Sequence, residues 1–338
     1  MCNGTIMDKL ISFSIPLMLS GILQLMFNAV DIVVVGRFSG SQALAAVGST
    51  TALINVFTNL FIGISLGANV LAARYYATGK TKEMSETVHT AIALALVSGV
   101  AMAVIGVVFA RGALEIMGTP DDVIAKSTLY MRIYFCGMPF FMMYNYGAAI
   151  LRAVGDTKRP LIFLIVSGVI NAVLNLFLVI GFHLDVAGVG IATVISQLVS
   201  CILVLRCLHH TESSYQLHLA KLRIRSVYLK QIFEVGVPAG IQSTVINISN
   251  AMLQSSVNSF GSIAMAGYTA SNNIFGFLYV SVNSFTQACM SFTSQNYGVK
   301  KLKRMDRVLI DCMILSVVVT LILGSSVYTV SYTHLTLP

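Results

Sequence analysis

Charge is scarce in this chain. Only 10% of its 338 residues are Asp, Glu, Lys or Arg, whereas a soluble domain of ordinary composition carries about 25%. That shortage excludes a water-exposed globular surface. The six cysteines (Cys2, Cys136, Cys201, Cys207, Cys289, Cys312) are scattered without a CxxC pair, which argues against a disulfide framework, a redox pair or a thiolate metal site. Within the apolar segments they read as small hydrophobes. No HExxH and no Asp-rich metal pair falls within an apolar run, so a membrane enzyme has no support. Gly79-Lys80-Thr81 resembles the end of a phosphate-binding loop, but Arg74 stands where the earlier glycine is required and no strand precedes it. What is abundant is apolar surface: 56% of residues are hydrophobic and the mean hydropathy is +0.83. The composition is that of an integral membrane protein.

A membrane span needs ~20 mostly apolar residues. Nine segments qualify: 10–35, 51–73, 88–110, 128–151, 161–182, 187–205, 231–257, 265–292 and 308–330. Helices are expected, because each backbone polar group must find its partner inside the segment. The first run is too long for the apolar core of a cleavable signal and only Lys9 precedes it, so no signal is expected.

The loops predict orientation. With the N-terminus inside, the inner loops carry seventeen Lys or Arg residues, among them Arg152, and the outer loops three, namely Arg37, Arg111 and Lys126. The positive-inside rule then places the N-terminus in the cytoplasm. The formal charge of +8 is thereby read as orientation and contact with anionic lipid, and no nucleic-acid partner is expected. The longest loop, 206–230, is basic and polar and is the best domain boundary. It separates a six-helix lobe (1–205) from a partial three-helix lobe (231–330). Its pair His209-His210 lacks further ligands at metal spacing and reads as solvated linker.

The segment after the linker repeats the beginning. Pro16, Asn28 and Phe38 match Pro238, Asn250 and Phe260; Gly40-Ser41-x-Ala43-x-Ala45 matches Gly261-Ser262-x-Ala264-x-Ala266, and Tyr76 matches Tyr297. Both copies start on the same side, so the repeats run parallel, related by an axis along the membrane normal. A duplicated six-helix unit implies twelve helices, of which nine are present. Residues 331–338 resemble translated adapter sequence, and the chain is expected to be a fragment.

Asp31 lies inside the first apolar run. A charge at membrane depth costs at least ~2.5–3.5 kcal/mol and marks a functional site. An acid there can take up and release a proton, or bind a cation, as the protein changes shape, which points to ion-coupled transport. Ser20, Gln24, Asn28 and Asp31 share one helix face. Ser243, Asn247, Asn250 and Gln254 form the matching stripe on the seventh span, and Ser167, Asn171 and Asn175 line the fifth. Single amides act as glue between helices, whereas this many facing inward predict a hydrated cavity. Pro16 and Pro238, matched in the two repeats, are candidate hinges. Gly63-x-x-x-Gly67 is a close-packing face.

Val30-Asp31 with Val35-Gly36, Leu151-Arg152-Ala153-x-Gly155-Asp156-Thr157-Lys158-x-Pro160, Val186-Ala187-Gly188-Val189-Gly190-Ile191-Ala192-Thr193 and Gln295-Asn296-Tyr297-Gly298 together resemble the multidrug and toxic compound extrusion (MATE) family, in particular its bacterial DinF-like branch. The resemblance covers roughly residues 10–328. It implies an all-α polytopic membrane protein with two V-shaped lobes that exports organic cations or amphipathic compounds. It also implies a cation site in which Asp31 matches the family's helix-one acid, Asn171 a helix-five amide and Thr193 a helix-six hydroxyl. Asn175 stands where the family places a second acid, which leaves Asp31 the sole carboxylate and mildly favours protons over sodium.

The expected activity is therefore secondary antiport against protons or sodium, with no cofactor, no metal and no catalytic residues. The expected substrate cavity comprises Gln24, Phe27, Asn28, Tyr144, Tyr146, Asn247, Asn250, Gln254 and Phe275. A small organic cation or amphipath and membrane lipid are the expected partners of a monomer in the plasma membrane. One rival is a lipid-linked oligosaccharide flippase, whose cavity should carry several arginines; only Arg132 stands clearly within a span. The other is a passive channel or structural subunit, which has no use for Asp31.

Overall fold

A computed structural model of the chain describes residues 1–258, 260 and 262–336; for residues 52, 251, 254, 255, 258, 262–267, 269, 270, 273 and 330–336 it describes the backbone alone. Part of the second copy of the Gly-Ser-x-Ala-x-Ala motif, the side chain of Gln254 and the last two residues of the tail thus lie outside the described residues. The described residues contain no strand. They form α1 (Ile6–Phe38), α2 (Gly40–Ala77), α3 (Thr81–Ile116), α4 (Asp121–Cys136), α5 (Met138–Ala153), α6 (Lys158–Leu176), α7 (Asp185–His209), α8 (Ser226–Asn258), α9 (Ser262–Gly298) and α10 (Leu302–Thr336). A π-helical turn, Phe177–Gly181, continues α6.

Seven of the nine expected spans fall within single helices, and an eighth, 161–182, runs through α6 and its π-turn to end one residue beyond. The exception is 128–151, which is two helices meeting at Gly137. Pro139 sits in the first turn of α5 and has no N–H to donate back, so the α-helical ladder is interrupted there. Among the described residues, six helices are long and apolar enough to cross a membrane on length and composition alone: α1, α2, α3, α6 with its π-turn, α7 and α10. Helices α4 and α5 are each 16 residues long and qualify only as one bent rod. Helices α8 and α9 have the length, at 33 and 37 residues, but their polar stripes dilute their apolarity. Val97, Val104, Val108 and Phe109 on α3, Val169 and Val173 on α6, and Leu321 and Ile322 on α10 are exposed. Water would not tolerate so large an apolar belt on a monomer; lipid does.

The internal repeat is visible in the helix lengths. Helices α1 and α2 measure 33 and 38 residues, and α8 and α9 measure 33 and 37. Packing follows the same symmetry, since α1 lies against α9 as α8 lies against α2. The two contacts are nonetheless filled differently. Between α1 and α9 the rings of Phe13 and Phe292 meet edge to face, 5.5 Å apart. Between α2 and α8 a Cβ on Gly63 would fall on the backbone of Gly240, and one on Gly67 on the carbonyl of Ile232. The small-residue face predicted for α2 therefore brings two backbones into contact. Gly63-Ile64-Ser65-Leu66-Gly67 also has the spacing of a hydrolase nucleophile elbow. It lies in a helix interior where Ser65 donates to the Ile62 carbonyl at 2.6 Å, not on the strand-to-helix turn which that motif requires.

The segment between α7 and α8, 210–225, holds one 3₁₀ turn at Leu219–Lys221 and folds back onto α3. Arg223 pairs with Glu86, and Arg225 reaches the same carboxylate at 3.3 Å. The His218 N–H donates to His89 Nε2 at 3.1 Å, while His89 Nδ1 lies 2.6 Å from the Ser85 carbonyl oxygen. His209 and His210 bond the carbonyls of Leu217 and Arg206. No cluster of three or more metal-ligating side chains occurs among the described residues.

Loss of hydration, then the neighbouring Lys221, His89 and His209, holds His218 below the ordinary imidazole value of 6.5. An imidazole lowered in the folded state adds stability that is complete above its ordinary value and is lost as pH falls through the lowered one. Protection factors across 213–224, which remove the intrinsic pH dependence of amide exchange, should therefore fall as the pH is lowered below the ordinary imidazole value of 6.5. Unchanged protection over that range would contradict docking through His218.

Candidate functional site

A cavity of about 950 Å³ opens between α1, α2 and α4–α9. Its walls carry the amides, hydroxyls and aromatic rings foreseen from the polar stripes. Two charged side chains line it among the described residues, Asp31 and Arg152.

Asp31 is held by a relay of amides. Ser167, Asn171 and Asn175 recur at every fourth position, so they share the face of α6 that packs on α1. Asn175 Nδ2 donates to Asp31 Oδ1 and lies 3.2 Å from Asn171 Oδ1. Asn171 Nδ2 reaches Thr193 Oγ1 of α7 at 3.5 Å, and Thr193 in turn donates to the Val189 carbonyl at 2.9 Å. The four residues named from sequence as a cation site thus form one connected cluster across α1, α6 and α7. Asn175 is fully buried and its Oδ1 has no hydrogen-bond partner among the described residues. An orphan oxygen beside a carboxylate, with the Thr193 hydroxyl beyond, is a donor set suited to a proton or a small hard cation. The π-turn starting at Phe177 widens α6 two residues past Asn175, a distortion common at functional sites.

Phe27 closes one side of this cluster by lying flat on Gly168, where any side chain would overlap its ring. Tyr130 and Tyr134, one helical turn apart on α4 with centroids at 6.2 Å, also line the cavity. They escaped the sequence reading, although their i, i+4 spacing within an apolar segment was the available signal.

Gln24, Phe27, Asn28, Tyr144, Asn247, Asn250 and Phe275 line the cavity. Tyr146 does not. It is fully buried in the core of the bundle, because two residues beyond Tyr144 is a rotation of ~200° onto the opposite helix face. Pro16 and Pro238 lie inside helices that continue through them.

Arg152 corrects a second expectation. The sequence assigned it to a loop, whereas it belongs to the last turn of α5 and points into the cavity. Its Nη1 donates to Gln287 Oε1 of α9 at 2.7 Å, and its Nε to the Ala148 carbonyl at 3.1 Å. Arg132, in contrast, is exposed outside the cavity and donates to the Val107 carbonyl at 3.2 Å.

The end of the cavity nearest the N-terminus is shut. Asn69 accepts from Ser291 at 3.1 Å and donates to the Ala149 carbonyl at 2.8 Å. Gln295 donates to the Ala153 carbonyl at 2.6 Å, and Tyr75 to Gln231 at 2.9 Å. With the α2–α8 glycine contact, these bonds tie α8 to α2, and α9 to α2 and α5, at one level.

A helical membrane bundle built around a polar cavity, with its charge reduced to one acid and one base, is the architecture of a membrane transporter. The MatE family model matches residues 16–177 and 238–337. The chain is 32% identical over 304 residues to "Probable multidrug resistance protein YoeA" of Bacillus subtilis (strain 168), a match covering 88% of this chain and 66% of that one. It is 22% identical over 337 residues to "Multidrug export protein MepA" of Staphylococcus aureus (strain NCTC 8325 / PS 47), covering 98% of this chain and 73% of that one. Among solved structures, the outward-facing conformation of a multidrug resistance MATE family transporter superposes with a TM-score of 0.91 at 20% identity, covering 98% of this chain and 73% of that one. The chain belongs to the MATE family of membrane transporters. It spans about two thirds of the length of the YoeA relative.

Proposed function

We propose that this protein is a secondary antiporter that exports organic cations or amphipathic drugs in exchange for protons or sodium. Its place in this reading is the plasma membrane, with the N-terminus cytoplasmic. The observation that carries the proposal is a single carboxylate, Asp31, on the wall of a large polar cavity and bonded to a buried amide relay. A passive pore has no use for that arrangement, because an ionised acid in a low-dielectric wall is costly unless it binds something.

In the proposed cycle Asp31 is ionised while the cavity holds substrate. A proton or sodium ion entering from outside neutralises it and weakens its bond to Asn175. Asn175, Asn171 and Thr193 lie on α6 and α7, so the change at Asp31 is felt where α1 meets those helices. The ion drives the cycle only through unequal affinity for the two arrangements of the bundle. With the N-terminus inside, the shut end is cytoplasmic and the cavity faces outward. Moving Arg152 from a loop into the cavity leaves the positive-inside imbalance intact. The flippase reading would need several arginines in the cavity, and among the described residues Arg152 is the only one lining it.

Cells producing the full-length protein should accumulate several-fold less ethidium than cells without it, and a protonophore or sodium ionophore should abolish the difference. Equal accumulation in both cell lines, with the protein present in the membrane, would contradict the proposal.

A further inference from the structure

Arg152 is a cation facing the cavity without a carboxylate partner among the described residues. The guanidinium has five donors, and the structure shows bonds from two of its nitrogens, to neutral oxygens of Gln287 and Ala148. Its Nη2 amino group makes no bond among the described residues. The other cavity charge cannot serve it. Helix α9, which carries Gln287, meets α1 at the level of Phe13 and Leu17, and Asp31 lies a further ~20 Å along α1 at 1.5 Å per residue. The two charges therefore occupy different ends of the cavity. Tyr144, two turns before Arg152 on α5, and Met290, beside Gln287 on α9, line the same cavity, with Phe141 about one turn beyond Tyr144 and the polar Asn145 and Ser284 between. Tyr144 is fixed by donating its hydroxyl to the Pro160 carbonyl at 3.1 Å.

We propose that Arg152 is a binding residue for an oxyanion (a carboxylate, sulfonate or phosphate) carried by an aromatic amphipathic substrate whose ring system lies on Phe141 and Tyr144. The proposal rests on the transport reading and deepens it: the cavity selects zwitterionic and anionic amphipaths as well as cations. A planar fork with free donors matches an oxyanion in two-point contact, which a lysine cannot reproduce. Because Gln287 belongs to α9, an anion that takes its place on Arg152 also removes one tie between α5 and α9. Loading the site thereby loosens the shut end of the bundle, as a transported substrate must.

A matched pair of dyes tests this. Rhodamine 110 carries a free carboxylate and rhodamine 123 is its methyl ester. Fluorescence anisotropy with the purified full-length protein should show that Arg152→Gln weakens rhodamine 110 binding by about tenfold, the size of one charge-assisted hydrogen bond. Rhodamine 123 binding should change by less than about twofold and serves as the folding control in the same sample, since one hydrogen bond lost corresponds to about tenfold. Arg152→Lys should fall between, keeping the charge but losing the fork. Equal loss of both dyes would overturn the site and make Arg152 a packing residue. No loss of rhodamine 110 would overturn it while leaving the exporter reading intact. Failure of the wild-type protein to bind either dye would count against both.

Discussion

Asp31→Asn should reduce gradient-driven efflux by more than about tenfold while leaving membrane insertion and folding unchanged. The substitution preserves shape and leaves Asn175 a hydrogen-bonding partner, so the local packing across α1 and α6 has no reason to collapse. It removes the ability to exist in two charge states. A coupling ion then has no differential affinity for the two arrangements of the bundle, and the gradient has nothing to act on. Substrate binding should survive, because Asp31 lies toward the end of the cavity remote from Arg152 and the aromatic wall. The split between retained binding and lost coupling separates a coupling residue from a substrate residue. Full efflux in Asp31→Asn would exclude Asp31 as the coupling group.

Gly63→Val should open the shut end of the cavity. The backbones of α2 and α8 touch there, and even a methyl group on Gly63 would land on Gly240. Neither backbone can yield without moving a whole helix. Overpacking of this kind costs roughly 1–3 kcal/mol, which shifts a two-state equilibrium by about 5- to 150-fold. The cost falls on the state in which α2 and α8 are in contact. Cysteines placed at Tyr75 and Gln231, bonded across the same interface at 2.9 Å, should become far more reactive to water-soluble thiol reagents added on the side that bears the N-terminus. Gly112→Val is the matched control, since a side chain there would meet nothing within 4 Å. Equal labelling in Gly63→Val and wild type would show that the glycine contact does not set the closed state.

The parts of this architecture that follow from periodicity were legible in the sequence. Apolar length marked seven spans as single helices and an eighth as α6 with its π-turn, and a spacing of four put Ser167, Asn171 and Asn175 on one face. The acid in an apolar run marked the site that the structure assembles from α1, α6 and α7. What escaped depended on where a helix ends or turns. Arg152 looks like loop charge because it neighbours Gly155-Asp156, yet α5 runs on to Ala153, two residues past the expected span, and carries the guanidinium into the cavity. Gly137 and Pro139 lie in an otherwise continuous apolar run, so hydropathy alone did not divide it. Tyr146 was placed in the cavity on residue type, although its offset from Tyr144 already put it on the far face. The docked linker was hidden for a different reason. Glu86, His89 and Thr90 engage residues more than a hundred positions away, and no local pattern encodes a contact of that range.

The central claim is that an ion gradient drives an organic cation through this protein. The most direct test uses sealed vesicles containing the purified full-length protein and equilibrated with ethidium at equal concentration on both sides, with an inward-directed proton gradient imposed first and an inward-directed sodium gradient second. The account predicts ethidium movement against its own gradient with at least one of the two ions, abolished when that gradient is collapsed. Ethidium that stays equal on both sides, indifferent to both gradients, would contradict it.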